Sequence, residues 1–359
     1  MIVVGGGIIG LSLSIELRKQ GATVLLLERG EPGREASHAA GGMLVDSPME
    51  TQPALQALAT ASARMYPAFV SELEIESGRK IDLRDDGAIV FFKREFSAFD
   101  LENKLGCGEE SLSPSELAEL EPALAETSTS ALFLKERSVD PRGLVAAAME
   151  AAKRLGVDIS SGEEVNSVHI SEDAVTSVST KKTTFYSPKV VNCAGAWSGQ
   201  FGPHAFPTRP VKGQMLCLIS PTRNLIRHVI RSPEVYIIPR SDGRIIIGTT
   251  VEEAGFDKRT EVAAIQRLHQ AAVAVVPQLR EAKILEDWAG LRPGTPDGLP
   301  ILGATSTHGY YVATGHFRDG ILLAPITARV MAQIISGQNP SEDLSAFSAE
   351  RFQSTCSSK

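Results

Sequence analysis

Cysteine, aromatic residues and long apolar runs are all scarce in this chain of 359 residues. Its four cysteines, Cys107, Cys193, Cys217 and Cys356, show no C-x-x-C or other metal-ligand spacing, so we expect free thiols and no metal site. No stretch approaches the ~20 uninterrupted apolar residues of a membrane helix. We expect no signal peptide, because an apolar strand already starts at residue 1. These absences together predict a cytoplasmic protein with no membrane partner.

Positive charge is also in deficit. The chain has 36 Lys and Arg residues against 43 Asp and Glu residues, which gives a formal net charge of −7. A surplus of negative charge argues against non-specific binding to nucleic acid. Hydrophobic residues make up 43% and charged residues 22%, which is typical of a globular protein, and the length is sufficient for two intertwined lobes.

The clearest motif occupies residues 5–10, where a short apolar strand runs directly into the sequence GGGIIG. This fits the dinucleotide-binding pattern G-x-G-x-x-G. In that pattern Gly5 allows the tight turn, Gly7 lets a pyrophosphate approach the backbone, and Gly10 lets helix and strand pack closely. The helix predicted over residues 8–20 directs its free N–H groups and the positive end of its dipole toward the same pyrophosphate.

A second strand and an acidic residue complete the pattern. Residues 23–27 read as a buried parallel strand, and Glu28 follows it, eighteen residues beyond Gly10. An acidic side chain at that position can accept hydrogen bonds from ribose hydroxyls. The alternative is a purely structural turn with an incidental glutamate. Strand, helix, strand and acid in this order favour dinucleotide binding, and by themselves they also permit a nicotinamide enzyme.

The remaining pattern alternates helices with strands. Helices are predicted over residues 53–77 and 141–155, and short strands over residues 165–187 read as an antiparallel meander. Residues 235–248 read as a hairpin around a D-G turn, and residues 190–197 read as a strand that enters a glycine turn and returns to the first sheet. The sequence therefore predicts an α/β fold with two lobes.

We predict a discontinuous Rossmann-like nucleotide-binding domain from residues 1–80, 140–200 and 285–359. The second, α+β substrate domain takes residues 81–139 and 201–284 and is built on a largely antiparallel sheet.

Three further stretches can carry chemistry. Residues 288–298 read as a rigid loop rich in glycine and proline, which can fix Arg292 for two parallel bonds to a carboxylate or can leave it solvated. His316 precedes an apolar helix predicted at residues 321–324; it can be a base, although packed histidines are more common and we assign it no base chemistry. Tyr236 lies on an apolar strand and is either a sheet residue or a pocket residue.

With these stretches in view, the chain resembles the flavoprotein family that contains D-amino acid oxidase, sarcosine oxidase and glycine oxidase, and it is most similar to the glycine oxidase branch. The resemblance covers nearly the whole chain. It rests on five motifs in the same order, at residues 5–10, 39–44, 236–240, 288–295 and 315–325.

The resemblance implies FAD as the cofactor of the first domain. The FAD is expected to be non-covalent, because the stretch matching residues 288–297 lacks the cysteine to which sarcosine oxidases attach flavin. The motif and the resemblance together assign cofactor binding to Gly5, Gly7, Ile8, Ile9, Gly10, Glu28, Arg29, Ala36, Ser37, Gly41, Gly42, Met43, Val165, Ala194, Gly195, His316, Phe317, Arg318, Asp319, Gly320, Ile321 and Leu322.

The resemblance also implies the reaction. Arg292 matches the residue that binds the substrate carboxylate, and Arg318 and Tyr236 match its helpers. The implied activity is oxidative deamination of glycine, sarcosine or D-alanine by oxygen, giving the 2-oxo acid (glyoxylate from glycine), ammonia and hydrogen peroxide. In the glycine oxidase branch the imine supplies the thiazole of thiamine. The implied partners are therefore a small amino acid and oxygen, and we expect a homo-oligomer.

Two positions depart from the glycine oxidase pattern. This chain has Glu234 where glycine oxidases carry His, and Val251 where they carry Met. Both lie near the expected pocket, so an oxidase or dehydrogenase of a bulkier D-amino acid or secondary amine remains the alternative. A nucleotide-binding module without catalysis is disfavoured by the combination of Arg292, Arg318 and Tyr236.

Overall fold

The structure is a computed structural model, and it describes residues 1–92, 109–126 and 131–355. The helices are α1 Ile8–Lys19, α2 Ala36–Ala39, α3 Pro53–Ser77, α4 Pro114–Leu120, α5 Pro141–Arg154, α6 Val262–Val275 and α7 Ala324–Ile335. The strands are β1 Ile2–Val4, β2 Leu25–Glu28, β3 Met43–Leu44, β4 Leu83–Arg84, β5 Ala88–Val90, β6 Glu109–Leu112, β7 Ala131–Leu134, β8 Arg137–Val139, β9 Asp158–Ser161, β10 Val165–Ser171, β11 Ala174–Thr180, β12 Thr184–Tyr186, β13 Val190–Asn192, β14 Arg209–Ile219, β15 Val229–Arg231, β16 Tyr236–Pro239, β17 Arg244–Gly248, β18 Lys283–Gly294, β19 Ile301–Ala304 and β20 Tyr310–Thr314.

A six-stranded sheet carries the N-terminal motif. Its order is β19-β20-β13-β1-β2-β9, and every neighbouring pair is parallel except β19 with β20. β1 is buried along its whole length, as expected for a parallel strand covered on both faces. Helices α1 and α7 pack on each other, and α1 also packs on α5. The strands of this sheet come from separated stretches of chain, and the domain boundaries given above remain a prediction.

The second large sheet has eight strands. Its order is β18-β14-β17-β16-β15-β5-β7-β6, and it is antiparallel apart from the β15–β5 pair. Alternation along its strands separates two faces. Leu216 and Ile247 pack with Leu268 of α6 on one face, whereas Met215 and Ile246 belong to a smaller cluster on the other. The second face is therefore the one that can border a ligand.

Two small sheets complete the fold. One is the antiparallel meander predicted from the sequence, formed by β10, β11 and β12. The other is a three-stranded sheet with the order β3-β8-β4. The hairpin over residues 235–248 is confirmed as β16 and β17. The predicted mixed α/β fold is confirmed. Within the described ranges, none of the helices combines the length and hydropathy needed to span a bilayer.

Two local predictions are wrong. The stretch around Arg292 is not a loop, because β18 runs through it to Gly294 in long antiparallel register with β14. Pro293 is tolerated there because β18 is an edge strand. The last helix begins at Ala324, three residues later than predicted, with Pro325 in its first turn. Cys193 and Cys217 are free and buried, while Cys107 and Cys356 lie outside the described residues.

Candidate active site

A cavity of about 650 Å³ lies between the two large sheets. One end is bordered by the turn after β1 and the end of β2, and the segment around α2 runs from there to β18. The other end is bordered by the open face of β14, β16, β17 and β18 and by the turn that follows β20. The size is within the range of sites that hold a cofactor together with a small ligand.

The turn after β1 has the close packing that the motif predicts. Gly5 has a φ of +110°, and a Cβ there would lie 2.4 Å from the carbonyl oxygen of Cys193. A Cβ on Gly10 would lie 2.0 Å from the carbonyl oxygen of Gly5. Helix α1 begins with Gly7 as its N-cap, without a side-chain cap and without an acidic residue in its first turn. Its N-terminus is therefore suited to an external anion.

Glu28 closes β2 as a buried carboxylate on the cavity wall. Its Oε2 accepts a hydrogen bond of 2.8 Å from the Gly6 N–H, and its Oε1 accepts one of 2.9 Å from the Gly30 N–H. These bonds fix the carboxylate against the glycine turn. Each oxygen retains a further lone pair, which is what a ribose hydroxyl requires.

Arg29 extends this end of the cavity. Its guanidinium carbon lies 3.5 Å from the centroid of the Trp197 ring, and its Nη2 lies 2.7 Å from Oε1 of Glu35. Trp197 and Glu35 also line the cavity. Neither residue was predicted from the sequence, because neither belongs to a motif and only the fold brings them to Arg29.

The small-residue segment after α2 is held by the second sheet. Arg240 is buried, and its Nη2 donates to the carbonyl oxygen of Gly41 at 2.5 Å while its Nη1 donates to that of Val139 at 3.0 Å. Gly42 has a φ of +81°, and a Cβ there would lie 2.0 Å from the Val139 oxygen. The backbone of residues 41–43 is thereby fixed along the cavity.

Arg292 lies on β18 and reaches across the open face of the sheet. Its Nη2 donates to Thr249 Oγ1 at 2.9 Å, and its Nη1 donates to the Thr250 carbonyl oxygen at 3.3 Å. Burial lowers the pKa of the Arg292 guanidinium, but a guanidinium stays protonated in proteins. Arg292 is therefore a largely buried cation that the two hydrogen bonds hold in place.

Tyr236 and Arg318 meet Arg292 at this end. Burial raises the pKa of the Tyr236 phenol above its usual value, against the opposing effects of Arg292, of a hydrogen bond with Thr249 and of Arg318. The phenol is therefore protonated near neutral pH and can donate a hydrogen bond. Two cations and a phenol on one cavity wall form a site for a carboxylate.

Two glycines that no motif includes make room for these side chains. A Cβ on Gly213 would lie 2.3 Å from both Nη atoms of Arg292, and a Cβ on Gly248 would lie 2.5 Å from the Tyr236 ring. Glycine inside a strand often marks the close approach of another group, which is the signal that sequence reasoning had available.

His316 is packed and hydrogen-bonded. Its Nε2 lies 3.1 Å from Thr327 Oγ1, and burial lowers the pKa of its imidazole to about 3. It is therefore neutral at pH 7 and lines the cavity as an uncharged group. In the same turn, burial raises the pKa of Asp319 to about 6, with Arg318 opposing the shift.

Acidification is expected to destabilise the protein through His316. The pKa of an unfolded histidine is about 6.5, so between that pH and pH 3 the unfolded chain binds one more proton than the folded one. The free energy of unfolding should fall by about 1.4 kcal/mol between pH 7.5 and 5.5 from this residue, with almost no effect above pH 7.5. The unfolding midpoint of His316→Gln should therefore depend less on pH over that range. The exposed His169→Gln is the matched control, and equal pH dependence in all three proteins would contradict the prediction.

Nearly all of the residues assigned from the sequence lie on this one cavity. The lining includes Gly5, Gly7, Ile8, Ile9, Glu28, Arg29, Ala36, Ser37, Gly41, Gly42, Met43, Val165, Ala194, Gly195, Tyr236, Arg292, His316, Phe317, Arg318, Asp319, Gly320 and Ile321. Gly10 and Leu322 do not line it: Gly10 packs on Gly5, and the Leu322 carbonyl accepts a hydrogen bond from Ser62 Oγ at 2.6 Å. Glu234 and Val251 do line it.

Known proteins resemble this chain in sequence and in fold. The family model described as "DAO: FAD dependent oxidoreductase" matches residues 1–334. Glycine oxidase of Geobacillus kaustophilus is 34% identical over 362 residues, which cover 97% of this chain and 96% of that protein. Its crystal structure matches with a TM-score of 0.92 at 32% identity, over 98% of both chains.

A longer relative matches as well. The "Bifunctional protein ThiO/ThiG" of Trichormus variabilis is 35% identical over 365 residues. The match covers 99% of this chain and 56% of that protein, so the chain spans a little over half of the bifunctional relative's length.

Proposed function

This chain belongs to the DAO family of FAD-dependent oxidoreductases, and we propose that within this family it is an oxidase of glycine and related small amines. It is an FAD-dependent amine oxidase. The observation that carries the narrower proposal is the meeting of Arg292, Tyr236 and Arg318 at one end of the cavity. This arrangement suits a substrate with a carboxylate next to its amine.

The other end of the cavity fits FAD. The Gly5 and Gly10 positions have no room for a Cβ, the first turn of α1 has no acidic residue, and the Glu28 carboxylate is fixed beside the Gly6 N–H. These residues would hold the dinucleotide part, and the fixed backbone of residues 41–43 would lie along the isoalloxazine part. When bound, FAD supplies the hydride acceptor for the carbon that bears the amine.

The protein's own contribution is orientation. Arg292 binds the substrate carboxylate through its two Nη groups, and the Tyr236 hydroxyl donates a third bond. Arg318 adds positive charge at the same end. Holding the carboxylate fixes the amine-bearing carbon, and such positioning is worth several powers of ten in rate. His316 is neutral and packed, so it supplies no base; the amine must enter in its uncharged form.

The proposed products from glycine are glyoxylate, ammonia and hydrogen peroxide, with oxygen as the electron acceptor and water hydrolysing the imine; sarcosine would release methylamine in place of ammonia. The ThiO/ThiG relative supports a further proposal, that the imine formed from glycine supplies the thiazole of thiamine. A cytoplasmic location and a homo-oligomeric state belong to the proposal too. Glu234 and Val251 on the cavity wall favour one alternative, an oxidase or dehydrogenase of a bulkier D-amino acid or secondary amine.

Activity is expected to rise with pH. The substrate amine is charged at pH 7 and must lose its proton, so kcat/KM should increase about tenfold per pH unit until the pKa of the amine is reached. Tyr236 does not contribute to this rise, because its pKa is raised and the phenol stays protonated.

Measurement from pH 6.5 upward keeps Asp319, whose pKa is about 6, mostly ionised throughout. Tyr236→Phe should keep the same slope at a lower rate; a profile flattened by this change would make Tyr236 a titrating base.

The visible spectrum of the purified protein tests the proposal directly. A flavin band that glycine or sarcosine bleaches without air, with peroxide formed when air returns, would support it. Bleaching only by a bulkier amine such as D-proline would move the substrate to the alternative. A bleached protein that forms no peroxide in air would be a dehydrogenase.

A further inference from the structure

A second buried arginine lies on the same face of the sheet as Tyr236. In the antiparallel register of β15 with β16, Arg231 stands directly opposite Tyr236. Directly opposite residues project from the same face of a sheet, with their Cβ atoms roughly 5 Å apart. Arg231 lines the cavity and is 6% exposed. The carboxylate-binding end of the cavity therefore has a second cation, Arg231, on the strand next to that of Tyr236.

Two carboxylates hold this guanidinium unequally. Its Nη1 donates to Glu136 Oε2 at 2.6 Å, and Glu136 is itself buried. Its Nη2 forms an ion pair with Glu50 Oε2. Glu50 is the more exposed partner, since its side chain is 30% accessible against 5% for Glu136. Burial and the nearby Glu136 raise the pKa of the Glu50 carboxyl, with Arg231 opposing that rise. Glu50 is therefore the weaker of the two partners.

One edge of the guanidinium is incompletely used. Among the described residues, no acceptor meets the Arg231 Nε or Nη2 with hydrogen-bond geometry, although both atoms are buried. Nε and Nη2 share an edge of the planar group, and such an edge binds both oxygens of one carboxylate. Here it meets a single oxygen of Glu50. A buried donor without an acceptor is destabilising, so this edge has a strong tendency to bind a better-placed anion.

A substrate that ends in hydrogen or methyl leaves this cationic position unfilled. An apolar substrate end packed against the Arg231 guanidinium would remove water from the charge without replacing its hydrogen bonds. An apolar side chain at this position would avoid that desolvation cost. A second carboxylate on the substrate would instead complete the unfilled edge.

We propose that Arg231 is a specificity residue that binds a second carboxylate of the substrate, in place of Glu50. The substrate class is then an aminodicarboxylate, in which the first carboxylate binds Arg292 and the second is carried by the nitrogen substituent or the side chain. This inference rests on the proposed amine oxidase function and narrows its substrate.

Sarcosine and N-(carboxymethyl)glycine form a matched pair of probes, because they differ by a single carboxylate on the N-methyl carbon. The holoenzyme should oxidise N-(carboxymethyl)glycine with the higher kcat/KM. In Arg231→Gln, the ratio of the two kcat/KM values should fall about 100-fold, since a bidentate charged pair is lost. In Glu50→Gln the ratio should rise, because the internal competitor loses its charge.

Arg231→Lys is the variant that is more certain to fold, because it keeps a cation beside both glutamates. It lacks the two-pronged edge, so the ratio of the two kcat/KM values should fall in this variant too. Arg227→Gln, an exposed arginine paired with Asp86 outside the cavity, should leave the ratio at its wild-type value. Flavin content and the unfolding midpoint report on integrity.

Three results would overturn the inference. The first is a wild-type enzyme that oxidises sarcosine but not N-(carboxymethyl)glycine. The second is a ratio that changes less than threefold in both Arg231 variants. The third is a higher kcat/KM for N-(2-aminoethyl)glycine than for N-(carboxymethyl)glycine. The substrate group beside Arg231 would then be a cation bound by Glu50 and not a second carboxylate. Failure of the proposed function is distinct from all three, because then neither probe, nor glycine, would bleach the flavin band.

Discussion

Replacement of Arg292 by alanine is expected to lower kcat/KM about 10³-fold while the protein keeps its flavin. The side chain is largely buried and held by Thr249 and Thr250, so its loss removes an oriented guanidinium from the cavity wall and leaves no substitute at that position. Losing one partner of a buried charge pair costs 2–5 kcal/mol, and about 4 kcal/mol corresponds to this factor. Arg292→Lys should recover only part of the loss, because an ammonium is a point charge without the two-pronged geometry.

Steady-state kinetics with glycine, together with the flavin absorbance, measure this effect. Arg209→Ala is the matched control: Arg209 lies on the neighbouring strand β14, half-exposed and paired with Glu253. Gly213→Ala provides an independent check, since its Cβ would displace the Arg292 guanidinium without removing it. Wild-type kcat/KM in Arg292→Ala would mean that the carboxylate binds elsewhere.

Gly10→Ala is expected to weaken FAD binding by about 100-fold. The added Cβ would lie 2.0 Å from the Gly5 carbonyl oxygen, which is backbone and cannot rotate away. Helix α1 must therefore move off β1, and its N-terminus moves with it. Overpacking of this kind costs 1–3 kcal/mol, and the upper end of that range gives the expected factor.

Titration of the apoprotein with FAD, followed by flavin fluorescence, gives the dissociation constant. Gly143→Ala is the control, because it makes the same substitution in helix α5, where the nearest atom to the new Cβ is 3.9 Å away. FAD affinity that falls equally in both variants would trace the effect to general destabilisation and contradict the role given to the turn.

The sequence predicted the local structure around the glycine turn. The glycine turn, helix α1 and Glu28 lie within thirty residues, and their spacing alone sets their relation because the elements between them are regular and short. The resemblance added Arg292, Tyr236 and Arg318, which lie on three separate parts of the chain and which the fold brings to one wall.

Other residues were beyond prediction for a physical reason. Residues 288–294 contain the glycine and proline of a loop, and they become a strand only because β14 offers them a long antiparallel partner. Pairing with β14 outweighs the preference of the local sequence for a loop. Arg231, with Glu50 and Glu136, gave no signal because lone charged residues in a sequence are usually solvated, and their burial depends on the register of strands that are distant in the chain.

The sequence by itself thus determined the fold class and the dinucleotide turn, since both depend on local spacing or on hydrophobic periodicity, whereas FAD as the cofactor was implied by the resemblance to the flavoprotein family. The tertiary structure decided which charges meet across the cavity, which glycines leave room for Arg292 and Tyr236, and that His316 is neutral. Distances between side chains on different strands, and the desolvation that shifts their pKa values, exist only after the two sheets have come together.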